Sequence, residues 1–161
     1  MIAADMITLT PANNWRRWNG REWLIAEPWS CHICTGKFEL HLNVAPGLRT
    51  DGGSIPKIFQ NIISPLGCYL QAFLVHDILY AGEFCARAEA DRILLELLEY
   101  LGASWLRRNE IYAAVRLGGG FVWAGHTKQT IQGARRLITF TPIKGFEQLN
   151  PAAVRKKQEE L

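Results

Sequence analysis

A chain of 161 residues, 48% hydrophobic and 20% charged, can bury one real core but is too short for two comfortable domains, so one domain is expected. The formal charge of +3 is small and its basic residues are dispersed, apart from short pairs such as Arg16-Arg17, Arg107-Arg108 and Arg135-Arg136. Nothing in that balance calls for specific nucleic-acid binding.

The opening MIAADMITLT carries Asp5 and turns polar at once, so no cleaved secretion signal is expected. The segment from REWLIAEPW through KFELHLNV has strand character. In the second stretch Phe38, Leu40, Leu42 and Val44 alternate with Lys37, Glu39, His41 and Asn43, the period of a half-buried strand. With WLIAEPWSCHIC before it, an antiparallel hairpin or small meander is expected, turning near Pro28 and Gly36. The six tryptophans of the chain, four of them at 15, 18, 23 and 29, read as core and sheet-face packing. Cysteines 31, 34, 68 and 85 are expected as free thiols, and CHIC lacks the second pair that a zinc site needs. His32, His41 and His126 have no evident partners and are expected on the surface or a strand face.

PGLRTDGGSIPK then reads as a loop whose glycines let backbone groups approach a ligand, or equally as a turn followed by a Ser54 cap. The longest apolar region, roughly 62–80, contains Pro65, Gly67, Gln71, His76 and Asp77. Lipid would penalise these groups, so a core helix is predicted and no transmembrane segment. Three helices are expected, over about 65–81, 85–101 and 104–117, the second stopped by Gly102. The run GGG at 118–120 either breaks regular structure or permits close packing, and FVWAGH resumes a short helix. The expected organisation is a single α+β domain over 1–127 and a peripheral arm over 128–161, its last ten residues mobile. Within the domain, a small N-terminal antiparallel sheet leads through the Gly-rich loop to a helical hairpin covered by a third helix.

The stretch VHDILY sets two ionisable side chains in an otherwise apolar helix. His76 and Tyr80 share a face, and Asp77 is turned about 100° away by the 3.6-residue period. Asp91 lies in the apolar stripe of the next helix, and a turn around Gly82 folds that helix back so that Asp91 meets His76 and Tyr80. A carboxylate that accepts one imidazole N–H fixes the tautomer and leaves the other ring nitrogen to take a proton from water. Asp77 can then serve as a hard oxygen ligand to a cation, with Asp51 and the backbone of Gly52 and Gly53 as further donors. The same residues also suit a buried hydrogen-bond network that locks two helices and needs no substrate. Arg87, one turn before Asp91, reads as a helix ion pair.

The set APGLRTDGGSIPK, AFLVHDILY and RAEADRIL resembles, from about Phe38 to Val122, a phage and prophage family catalogued as domain of unknown function 1353. That resemblance implies a tailed-phage origin, action in the host bacterial cytoplasm or the virion, and other phage proteins as partners. HD-x-x-Y followed by a helix with a lone Asp is also similar to the catalytic core of phospholipase A₂. This second resemblance implies His76 as base, Asp77 as calcium ligand, Asp91 as orienting carboxylate, Tyr80 as its supporting donor, and Gly52 and Gly53 at the calcium loop and oxyanion hole. The disulfides of secreted phospholipases are missing, TDGGS only approximates their calcium loop, and no membrane-docking surface is visible. The function expected is a hydrolase-like phage protein, with calcium-dependent ester hydrolysis on a lipid or host-envelope substrate. The alternative is a non-enzymatic accessory, virion or host-defence-inhibiting protein.

Overall fold

The computed structural model describes residues 1–5, 7–11, 23–50 and 69–146. Trp15, Trp18, Asp51, Gly52, Gly53, Ser54, Pro65, Cys68 and the last ten residues, about which the sequence raises expectations, lie outside them. The protein is α+β, strands first and helices after, with two compact units: 1–49 together with 128–161, and 50–127.

In the first unit, β1 (Ile2–Ala4), β4 (Trp29–Cys34), β5 (Glu39–Val44) and β7 (Ile138–Lys144) form an antiparallel sheet in the order β1-β4-β5-β7. The alternation in the sequence decides which face is inside. Trp29, Cys31 and Ile33 of β4 and Leu40, Leu42 and Val44 of β5 are buried, while Asn43 faces out. Leu40, Leu42 and Ile33, fully enclosed, each contribute roughly 1.5–3 kcal/mol of burial. The chain reverses between β4 and β5 over 35–38, where the Thr35 hydroxyl accepts from the backbone N–H groups of Lys37 and Phe38. β2 (Leu9–Pro11) and β3 (Trp23–Ile25) pair in a second sheet, order β2-β3-β6, and on β6 (Arg49–Thr50) the chain passes into the second unit.

Residues 128–144, expected from sequence as the start of a peripheral arm, form α4 (Lys128–Leu137) and β7, an edge of the four-stranded sheet. Pro142 fits that edge, since a strand with neighbours on both sides would need the N–H it lacks. Phe146 then packs edge-on to Phe38 and Phe140.

The second unit holds α1 (Leu70–Gly82), α2 (Arg87–Tyr100) and α3 (Trp105–Ala124). α1 is apolar nearly all round and is buried accordingly, from Ala72 to Val75 and again at Ile78 and Leu79. Glu83, in the left-handed region at φ 45°, ends it and turns the chain. α2 packs against both α1 and α3. Gly102, at φ 82°, follows the end of α2, and the Ser104 side chain caps α3 by accepting from the Arg107 N–H.

α3 departs from expectation. It runs on through Gly118, Gly119 and Gly120 to Ala124 as one helix. The glycines permit close packing, the second of the two options: a Cβ at Gly119 would stand 2.7 Å from the Tyr80 hydroxyl. Trp105 departs too, being 69% exposed rather than packed.

Candidate functional site

Asp91 is the centre of the second unit's polar core. Helical period on α2 sets it in the buried stripe with Ala90, Leu94 and Leu98, and no part of it is exposed. Three donors converge on it: His76 Nε2 lies 2.9 Å from Oδ1, Tyr80 Oη donates to Oδ1 at 2.6 Å, and Arg116 Nη1 donates to Oδ2 at 2.7 Å. Arg87 Nη1 stands further off, 3.9 Å from Oδ2, and donates instead to the Arg116 carbonyl at 3.2 Å.

The charge states follow from this geometry. Burial alone would raise the Asp91 carboxyl, but the hydrogen bonds from His76, Tyr80 and Arg116 outweigh it and hold the group below the ordinary carboxylate range. Burial first, and then Asp91, push the Tyr80 phenol above its usual value, so it stays protonated and donates. Its hydrogen bond to Asp91 raises the Arg116 guanidinium as well. An ionised carboxylate accepts only, so His76 Nε2 carries a hydrogen. In the neutral ring, Nδ1 therefore holds a lone pair.

Nδ1 lies on the side of Asp77, whose Oδ1 is 4.0 Å away, and among the described residues it makes no hydrogen bond. Both residues line a cavity of about 120 Å³, well above the roughly 10–15 Å³ that admits one water. Phe73, Ala81, Val115 and Val122 make its wall apolar, and Thr50 and His126 add polar groups. Thr50 Oγ1 donates to Asp77 Oδ2 at 2.6 Å. Hard oxygen donors of this kind suit calcium, but its shell takes about six to eight oxygens. One carboxylate and one hydroxyl supply only part of that. Asp51, Gly52 and Gly53, the other donors expected from sequence, lie outside the described residues.

The structure thus brings His76, Tyr80 and Asp91 into direct contact and sets Asp77 beside them. Arg116, Thr50 and His126 were not legible as members of the group. Nothing in sequence distinguishes Arg116 from Arg107 or Arg108 on the same helix, and only packing turns it onto Asp91. Contrary to expectation, His126 has a partner: its Nδ1 lies 3.0 Å from Glu83 Oε1, and its ring lies beside Trp123, which meets Tyr80 edge-on. Thr50 stands inside the quoted loop motif, directly before Asp51, and that position was the available signal. No helix among the described residues is long and apolar enough to cross a membrane.

The family described as "Protein of unknown function (DUF1353)" matches residues 23–115, a span that includes His76, Asp77, Tyr80 and Asp91. No curated protein and no solved structure matches the chain.

Proposed function

Starting from the chain's membership of the DUF1353 family, we propose that it is a hydrolase-like protein of phage or prophage origin in which His76 is the general base. The observation that carries the reading is the imidazole pinned through Nε2 to the ionised, fully buried Asp91, with Nδ1 making no hydrogen bond among the described residues and lying beside a cavity that can hold water. Water held there would give its proton to Nδ1 as it attacks an acyl carbon, Asp91 would stabilise the imidazolium that forms, and the imidazolium would return that proton to the alkoxide leaving as the ester C–O bond breaks. The apolar wall of Phe73, Val115 and Val122 suits an ester with a hydrocarbon portion, hence a lipid or another envelope component. Calcium bound through Asp77, and through Asp51, Gly52 and Gly53, would supply positive charge to the developing oxyanion. The chain would act in the host bacterial cytoplasm or in the virion.

A second reading has its own observation. Arg116 places a cation on the same carboxylate, which weakens the help Asp91 gives to an imidazolium, and three donors from two helices hold Asp91 as a structural lock would. On that reading the protein is a non-enzymatic accessory, virion or host-defence-inhibiting protein.

Activity per folded molecule separates the two. It is measured first on phospholipid vesicles with calcium and then on peptidoglycan fragments. His76→Gln keeps bulk and some hydrogen bonding, so the catalytic reading expects near-normal folding and a loss of roughly two to four orders of magnitude in rate. Unchanged specific activity in His76→Gln would end it. Folded wild-type protein that hydrolyses neither substrate favours the structural lock.

A further inference from the structure

The outer face of the four-stranded sheet carries a second cluster, independent of His76. Alternation sends Cys31, Ile33, Leu40 and Leu42 into the core, so His32 on β4 and Glu39 and His41 on β5 share the opposite face. Register then aligns them. His32 pairs directly with His41, and Glu39 is two residues from His41 on the same strand. Their side-chain donors, a nitrogen from each imidazole and a carboxylate oxygen, all lie within 4.8 Å of one another. His32 Nε2 is 2.9 Å from Glu39 Oε1, and the two rings stack with centroids 4.0 Å apart.

We propose that His32, Glu39 and His41 bind one divalent transition-metal ion of borderline softness, of the zinc class. Two imidazoles and a carboxylate are a donor set such ions prefer, and calcium and magnesium take oxygen instead. Bonds of about 2.0–2.2 Å in tetrahedral array put ligand atoms roughly 3.4 Å apart, so donors now within 4.8 Å of one another need to close by no more than about 1.4 Å. The fold leaves room for the ion. His32 is flanked on β1 by Ala3, whose methyl cannot cover it, and on the other side of the pair His41 faces Thr141 of β7. Beside the cluster a depression of about 330 Å³, bordered by both histidines with Ser30 and Asn43, gives access to a fourth, exogenous ligand.

A plain hydrogen bond accounts for His32 and Glu39 but not for His41, whose ring nitrogens have no hydrogen-bond partner among the described residues. A second imidazole, half-buried at a fixed cross-strand register and with a ring nitrogen within 4.8 Å of the other two donor atoms, supplies the third ligand that a shared cation requires. The three ligands span both strands of the β4–β5 hairpin, so the ion would also clip that hairpin.

The test uses the full chain, stripped of metal by chelator, titrated with zinc chloride by calorimetry and with cobalt(II) chloride by visible absorption. One equivalent should bind in the micromolar range or tighter, with the cobalt d–d bands of a four- or five-coordinate site and a melting temperature that rises with metal concentration. His32→Gln, His41→Gln and Glu39→Gln should each weaken binding by at least about tenfold. Each should also melt like the wild type without metal, and Cys34→Ser and His126→Gln should bind normally. Absence of saturable binding below about 1 mM, or binding undiminished in His41→Gln, overturns the site.

Discussion

Replacing Gly119 by alanine tests the polar core through its packing. In a helix interior the change should stabilise by about 1 kcal/mol on propensity alone. Here the new Cβ would lie 2.7 Å from the Tyr80 hydroxyl and 3.4 Å from Cε1 and Cζ of the ring. Retreat of the ring is restricted, because it is buried, packs against His76 and meets Trp123 edge-on, although it also borders the cavity beside His76. Moving it strains a 2.6 Å hydrogen bond to an ionised carboxylate, of a kind worth about 1.5–3 kcal/mol. Overpacking adds about 1–3 kcal/mol; with the propensity gain set against both costs, the net expectation for Gly119→Ala is a loss of about 1.5 kcal/mol, rising to about 5 kcal/mol if the hydrogen bond breaks. In a Tyr80→Phe background the 2.7 Å contact disappears and only the 3.4 Å contacts remain. There the propensity gain should dominate, stabilising by up to about 1 kcal/mol. Urea unfolding of the four proteins of this double-mutant cycle, followed by far-ultraviolet circular dichroism, gives the coupling directly. If Gly119→Ala stabilises both backgrounds equally, Tyr80 is not held against Asp91 as described.

Three further outcomes follow from the charges and the cavity. Asp91 titrates below its unfolded value, so its contribution to stability is complete above about pH 4 and is lost as pH falls through the folded value; acid unfolding should be shallower in Asp91→Asn. Burial pushes the Cys31 and Cys85 thiols up to about 12, so both should resist Ellman's reagent at pH 8 in the native protein and react at once in urea. Should either react at the rate of a free thiol, its burial is misassigned. Calcium should raise the melting temperature, and Asp77→Asn should abolish that gain; equal shifts in the two proteins would remove Asp77 from the calcium proposal.

Local periodicity made some elements legible and topology hid others. The alternation of Phe38, Leu40, Leu42 and Val44 specifies a strand and its inner face without any knowledge of its partners. Ile138 to Thr141 carries a similar alternation, but it is short and ends at Pro142. Its status as a strand depends on pairing with β5, about a hundred residues earlier, and no local signal encodes that. The three glycines of α3 show the reverse error. Each disfavours helix by about 1 kcal/mol, a local cost that tertiary packing overrides where Tyr80 needs the space beside Gly119.

The site was legible to the extent that helix geometry alone builds it. His76 and Tyr80 lie one turn apart on α1, and Asp91 lies in the buried stripe of a helix that must fold back, so their meeting needs only a short turn. The chemistry of a histidine–carboxylate pair depends on what else holds the carboxylate, and here that is Arg116, on a helix 25 residues further along. A carboxylate bonded only by histidine and tyrosine keeps its full charge for an imidazolium. One shared with a guanidinium gives part of that charge to a neighbour at 2.7 Å, and Arg116, partly open to solvent, retains its proton throughout the neutral range. The sequence motif is identical in both cases. What separates a base from a lock is therefore the position of one arginine, fixed by how α3 packs on α2 rather than by any pattern within either helix.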